Sequence, residues 1–174
     1  MPENQYSPIL FSAGCDSGVV QHCKVVASVA ARFSGDSVDD AMVCAGSMMH
    51  DIGRSVTHDI SHAQEGARIC RARGESEALT QIVLRHTGAG LDADECTLLG
   101  LLPLDCVPQT LEEKIVAHAD NLVMGLKVIS IEERMMRIAD LSALKHTVEG
   151  DFNMVSEAEV MSLVGGNASG RVQR

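Results

Sequence analysis

Apolar residues recur along this chain at three- and four-residue intervals, in blocks bounded by capping residues and glycines. That period predicts a succession of helices. A short one covers Ser7 to Ala13, with Pro8 early and Gly14 just past its end. Asp16 or Ser17 caps a longer helix to about Phe33, whose apolar stripe runs through Val19, Val26, Val29 and Phe33. Asp36 or Ser37 precedes a helix from Val38 to His50, which stops at Gly53. Ser61 caps one that runs to about Arg73 and ends at Gly74. Ser76 opens the next, with Leu79, Ile82 and Val83 on one side and Gly88 and Gly90 beyond it. Asp92 to Leu99 adds a short turn or helix. Thr110 and Glu113 make a capping box for a helix that passes through Ala119 and Val123 to about Val128. Ile131 to about Thr147 forms a last amphipathic helix. No run alternates with period two between turn signals, so no strand is expected. The predicted fold class is all-α, a compact bundle of about seven or eight helices.

Polar residues interrupt the apolar stripes. His22 lies three residues after Val19 and four before Val26, in the middle of its stripe. His86 continues the Ile82–Val83 face, and Asp120 sits between Val116 and Val123. His50 and Asp51 end a helix whose inward face includes Val43 and residues 45–49. His62 falls in the first turn of the next helix, above Gly66 and Ile69. A buried carboxylate without a partner costs several kcal/mol. A single histidine on an apolar face is ordinarily a core residue bonded to a carbonyl. Four histidines and two aspartates from five helices call for one common explanation, and a metal centre inside the bundle supplies it. Imidazole with carboxylate suits Mn, Fe, Ni, Co or Zn better than Ca or Mg. Adjacent helical residues point about 100° apart. His50 and Asp51 can therefore share a centre only where the helix ends, and Gly53 is expected to let the chain open there.

Length and composition sharpen this picture. A chain of 174 residues is one domain by the rule of roughly 100–200 residues per domain. It can bury a core without a structural metal, so a metal here is functional. Residues 1–150 are read as that domain, and 151–174 as a C-terminal extension whose last ten residues, GGNASGRVQR, are expected to fray. Nine methionines against four Phe and Tyr and no Trp predict an aliphatic, adaptable core. Cys44 and Cys70 fall on apolar faces and are expected in it. The six cysteines form no C-x-x-C pair, and no basic-then-apolar leader precedes Gly14, so reduced thiols and a cytoplasmic location are expected. No apolar run is long enough to span a membrane. A net charge of −10 argues against tight, sequence-blind nucleic-acid binding, and no sequence-specific binding is expected either. An oligomer is compatible with all of this.

The ordered set His22, His50-Asp51 in the form H-D-I-G, and Asp120 resembles the HD superfamily of metal-dependent phosphohydrolases. The resemblance runs from about Asp16 to about Val128. The stretches HDIGRSVTHDISHAQEG, RHTGAG and LEEKIVAHADNLV look closest to small archaeal HDIG-domain proteins. It implies an HD-domain bundle in which His22, His50, Asp51 and Asp120 bind a first metal. In members with two metals it implies that Asp51 bridges and that His62 and His86 complete the second centre. In single-metal members, residues at those two places contact substrate phosphate instead. The glycine-tyrosine-proline motif of cyclic di-GMP domains is missing at RHTGAG.

The implied activity is hydrolysis of a small phosphorylated substrate, expected to be a nucleotide, by metal-activated water, with one or two divalent transition ions as cofactor. Four neutral histidines and two aspartates carry −2; two divalent ions would make the pocket net positive, as an anionic phosphate requires. Arg54 follows the H-D-I-G turn and could grip a phosphate oxygen in bidentate fashion. His58, four residues on, could protonate the leaving oxygen. Asp51, Arg54 and His58 are thus the catalytic candidates, the last two also binding substrate. His118 lies about 200° round its helix from Asp120 and is expected at the surface. Arg68, Arg71, Arg73 and Arg85 read as a solvated basic face. Two other classes share these ligand types: an HD-fold di-iron oxygenase, and a nucleotide-binding regulatory module without turnover.

Overall fold

A computed structural model describes residues 5–145 of the chain, and beyond residue 138 only the helical backbone. The C-terminal extension, the domain limit at 150 and the expected helix end near Thr147 lie outside the described residues. Among the described residues eight helices follow one another: α1 Ser7–Ala13, α2 Ser17–Ala30, α3 Asp40–Met49, α4 His62–Arg73, α5 Glu77–Arg85, α6 Ala93–Leu98, α7 Leu111–Asn121 and α8 Ile131–Lys145. Single 3-10 turns extend α2 over Ala31–Phe33 and follow α3 over Ile52–Ser55. The only strands among the described residues form a hairpin, β1 Val123–Met124 with β2 Lys127–Val128. The fold is all-α, as the periodicity requires.

Local signals account for most helix ends. The side chains of Asp16, Ser76 and Asp92 accept from the backbone N–H three residues on, and Thr110 and Glu113 form the expected reciprocal box. Asp39, and not Asp36 or Ser37, caps α3 by accepting from Met42 N at 3.0 Å, so α3 begins two residues late. Ser61 precedes α4 without capping it; its hydroxyl is bonded to Asp59 instead. The greatest difference falls after Asp120. Helix α7 stops at Asn121, and the chain reverses through Gly125 and Leu126. Gly125 has φ +61° at the first of the two loop positions, where tight hairpin turns demand a positive φ.

Two aliphatic clusters form the core. One joins Leu10, Val20, Cys23, Met48, Met49, Ile52, Cys70 and Val83. The other joins Val26, Val29, Val43, Ile82, Val116 and Ala119. Helices α2, α3 and α5 contribute to both, and His22, His50 and His86 lie close in sequence to these core residues. Cys70 is fully buried, whereas Cys44 is only partly so. Among the described residues, no helix is long and apolar enough to cross a membrane.

The expected basic face is neutralised where it forms. Arg68 pairs with Glu65, Arg71 with Glu77 and Arg73 with Glu75. Arg85 is not part of that face: it reaches inward to Glu113, 3.0 Å away and only 4% exposed. His118 also differs from expectation. It is buried, edge-on to Phe33 with ring centroids 5.3 Å apart, and burial pushes its pKa down. The reason is that α7 buries almost its whole circumference, from Glu113 to Asn121, and leaves no solvent side for His118 to face.

Candidate metal centre

Each of the four histidines is oriented by a backbone carbonyl. His50 ends α3 and directs Nδ1 to Ser47 O at 2.7 Å; His86 ends α5 and directs Nδ1 to Val83 O at 2.7 Å. His62 opens α4 and directs Nδ1 to Asp59 O at 2.7 Å. His22, in mid-helix, has its Nδ1 2.8 Å from Gly125 O at the hairpin tip. With every Nδ1–H donating to a carbonyl, every neutral ring presents Nε2 as an acceptor.

Those Nε2 atoms converge on Asp51. Its Oδ1 lies 3.2 Å from His62 Nε2 and 3.6 Å from His86 Nε2. Its Oδ2 lies 3.6 Å from His50 Nε2 and 3.9 Å from His22 Nε2. Asp120 Oδ1 closes the other side, 2.8 Å from His22 Nε2 and 3.5 Å from His50 Nε2. The six residues expected from the sequence are thus brought together, with Asp51 between two histidine pairs. Three overlapping triads have donor atoms within 4.8 Å of one another: His22–His50–Asp51, His50–His86–Asp120 and Asp51–His62–His86.

The donor set fits a cation. Among the described residues, His50 Nε2 and Asp51 Oδ1 are buried and make no hydrogen bond of good geometry. His62 Nε2 and His86 Nε2 approach to 3.0 Å. Two neutral rings that both donate through Nδ1 would there oppose lone pair to lone pair, a contact that a shared positive charge relieves. Electrostatics agree. Burial alone would raise the pKa of Asp51, but His50, His62 and His86 outweigh it and hold the carboxyl far below the usual range. Asp120 is likewise held low against its burial by His22 and His50. Burial opposes a charge on His50, yet Asp51, Cys23 and Asp120 raise its pKa well above the ordinary value. Burial, the largest influence on His86, lowers its pKa. Two ionised carboxylates among inward-facing imidazoles could hold a divalent ion through nitrogen and oxygen donors.

Gly53 serves a different purpose from the one expected of it. Its value is the absence of a side chain: a Cβ would lie 1.9 Å from His62 O and 2.5 Å from Gly66 N. This close approach of the 3-10 turn to α4 is what sets Asp51 beside His62. Asp51 itself leaves helical geometry at φ −95°, ψ 15°, which turns its carboxylate toward the centre that His50 also faces.

A cavity of about 270 Å³ opens beside these donors, lined by Arg54, His58, His62, His86, Asp120 and Arg134, among others. Arg54 Nε donates to Asp51 Oδ2 at 2.7 Å, so the guanidinium is fixed at the rim of the centre. His58 lines the same cavity from the loop before α4, and its carbonyl lies 3.4 Å from Arg54 Nη1. Both candidates therefore line the cavity beside His62, His86 and Asp120. The sequence did not point to Gly125, whose carbonyl orients His22, nor to Arg134, Asn121 and Thr87. A glycine between two-residue strands was the one available signal for the first.

An all-helical bundle with inward-facing histidines and aspartates on five of its segments defines a class of metal-binding domain. The HD domain family model matches residues 19–125, and the chain belongs to that family. It is 46% identical over 125 residues to an uncharacterized protein of Methanocaldococcus jannaschii, covering 68% of this chain and 74% of that one. It is 43% identical over 135 residues to a tRNA (cytidine(56)-2'-O)-methyltransferase of Picrophilus torridus; this covers 76% of the chain but only 39% of the methyltransferase. Among solved structures, the HD domain of L. monocytogenes phosphodiesterase PgpH matches with a TM-score of 0.52 at 17% identity, covering 84% of this chain and 89% of that domain. At that identity the likeness is one of fold.

Proposed function

We propose that this protein is a metal-dependent phosphohydrolase that cleaves a phosphoester or phosphoanhydride bond of a small phosphorylated substrate, a nucleotide. The observation that supports it best is the position of Asp51, within 3.9 Å of all four histidine Nε2 atoms and bonded to an arginine that lines the adjoining cavity. His22, His50, Asp51 and Asp120 would hold one divalent ion, and Asp51, His62 and His86 a second. Such ions supply a lowered pKa for a reacting water and neutralisation of charge on the phosphoryl oxygens. Asp51 remains ionised and keeps both histidine pairs in register. The carbonyls of Ser47, Asp59, Val83 and Gly125 keep the four rings from rotating. Arg54 uses Nε on Asp51 and Nη1 on His58 O, which leaves its Nη2 group to take a phosphate oxygen. His58 donates the proton that the leaving oxygen gains as its bond to phosphorus breaks.

The nucleotide assignment draws on relatives. The PgpH HD domain has been solved with cyclic-di-AMP. Relatives at lower identity include ribonuclease Y of Fervidobacterium nodosum, 26% identical over 165 residues and matched over 28% of its length.

The test is direct. Protein purified without chelator should contain at least one equivalent of Mn, Fe, Ni, Co or Zn by elemental analysis. It should release phosphate or a nucleoside product from a nucleotide panel under one of those metals. Less than about a tenth of an equivalent, with no uptake on metal addition, overturns the metal centre. Iron-dependent O₂ consumption without phosphate release overturns the hydrolase in favour of an oxygenase.

Arg54 gives a second expectation. Arg54→Ala should retain its metal, because all six donors remain. It should lose about one to three kcal/mol of charge-assisted bonding, seen as a roughly five- to hundredfold fall in kcat/KM. Arg54→Lys should recover only part, since an ammonium cannot make the planar two-pronged contact. Wild-type kinetics in both variants would remove Arg54 from the site.

A further inference from the structure

The metal donors, Arg54 and His58 occupy only part of the cavity beside the centre. Arg134, in the first turn of α8, lines the same cavity together with Thr87 and Gly88. Arg134 Nη2 donates to Asn121 Oδ1 at 3.2 Å, and Asn121 Nδ2 donates to Gly88 O at 2.8 Å. This tether fixes the guanidinium from one side. Yet Arg134 Nε and Thr87 Oγ1 are both buried without a hydrogen-bond partner among the described residues. Unpaired buried groups of this kind are rare and ask for a ligand or an ordered water.

Among the described residues Arg134 also makes no ion pair, although Asp120 lines the same cavity. Arg54, Arg68, Arg71, Arg73, Arg85 and Arg137 each pair with a carboxylate. A guanidinium without an ion pair in a protein of net charge −10 is a selective place for an anion. Its tether residue, Asn121, follows Asp120 on α7 and so points about 100° away from it. Arg134 is thus held from α7 through Asn121, whereas Arg54 is held from the 3-10 turn through Asp51, so the two guanidiniums line the one cavity from different elements.

We propose that Arg134 and Thr87 form a second anion subsite, which holds a phosphate other than the one hydrolysed, so that the substrate is a nucleotide carrying two phosphates; this rests on the phosphohydrolase reading of the metal centre. Arg134 Nε and Thr87 Oγ1 donate to its oxygens, and Asn121 acts as a positioning residue for the guanidinium. The cavity, about 270 Å³, falls near the small end of the usual ligand range of about 300–1,000 Å³. That suits a mononucleotide-sized molecule better than a polymer.

Isothermal titration of the metal-loaded protein with adenosine 3',5'-bisphosphate and with AMP tests this. The wild type should bind the bisphosphate about tenfold or more tightly than AMP, the factor expected of charge-assisted bonds to one extra phosphate. Arg134→Ala should erase that preference while AMP affinity stays within about twofold and metal content is unchanged. Thr87→Val, which preserves side-chain shape, should reduce the preference in part, and Arg134→Lys should keep some of it. Equal wild-type affinity for the two probes overturns the subsite. So does an Arg134→Ala variant that weakens AMP and bisphosphate alike, since Arg134 would then hold the reacting phosphate. A wild type that binds metal but neither probe removes the phosphohydrolase reading itself, a distinct result.

Discussion

If the proposed centre is right, replacing Asp51 by asparagine is expected to abolish hydrolysis and to leave at least one metal ion unbound. Asp51 is within reach of all four histidines, at 3.2 to 3.9 Å, whereas Asp120 is within 3.5 Å of two, His22 and His50. The change preserves size and shape but removes the charge that both histidine pairs share. A loss of about a thousandfold or more in kcat/KM is expected from losing the several kcal/mol that a correctly held ion supplies. Asp120→Asn should fall short of that, because it leaves the Asp51–His62–His86 triad intact. The fold should persist in both, since neither carboxylate packs as an apolar core residue. Far-ultraviolet circular dichroism checks this point, and elemental analysis with an assay on the best substrate checks the rest. A well-folded Asp51→Asn protein that keeps more than about a tenth of wild-type activity would sink the mechanism.

The six candidate donors are legible because they break apolar stripes or end them. His22 is flanked by Val19 and Val26, His86 follows Ile82 and Val83, and Asp120 follows Val116, so helical spacing alone aims them at the core. Caps such as Asp16, Ser76 and the Thr110–Glu113 box were legible for an equally local reason. What failed was information that depends on a neighbour's position. Two-residue strands are too short to show period two, so Val123–Val128 read as more helix. With the hairpin went the carbonyl that orients His22, and with it the turn that brings Arg134 to the cavity. Asp39 displaced Asp36 as the cap of α3 because it also fixes Met42 N, a choice that the composition of a short polar run does not settle. His118 misled because a histidine opposite the site is solvent-facing only if the helix has a solvent side, and α7 has almost none.

Gly53 shows the same limit and carries the second large expectation. Read locally, a glycine after H-D-I is a helix terminator. In the fold it is a contact, because no side chain fits between the 3-10 turn and α4. An alanine Cβ would meet His62 O at 1.9 Å and Gly66 N at 2.5 Å, both backbone atoms of one helix. No rotamer change relieves such an overlap; α4 or the turn must move. Overpacking of a well-fitted interior costs about 1–3 kcal/mol even where side chains can yield. Here the upper end, about 3 kcal/mol, is the expected minimum. For a chain of this length that lowers Tm by roughly 6–12 °C, at about 2–4 °C per kcal/mol. The displacement also strikes the site, because the clashing residue, His62, is a candidate donor, and Asp51 lies two residues before Gly53. Gly53→Ala should therefore lose metal at the His62–His86 side in addition to stability. Gly35→Ala is the matched control: a methyl there meets nothing within 4 Å among the described residues, and its Tm should stay within the change that about 0.5 kcal/mol produces. Should the two alanine variants melt together and hold equal metal, the packing of the 3-10 turn against α4 is not what keeps Asp51 and His62 in place.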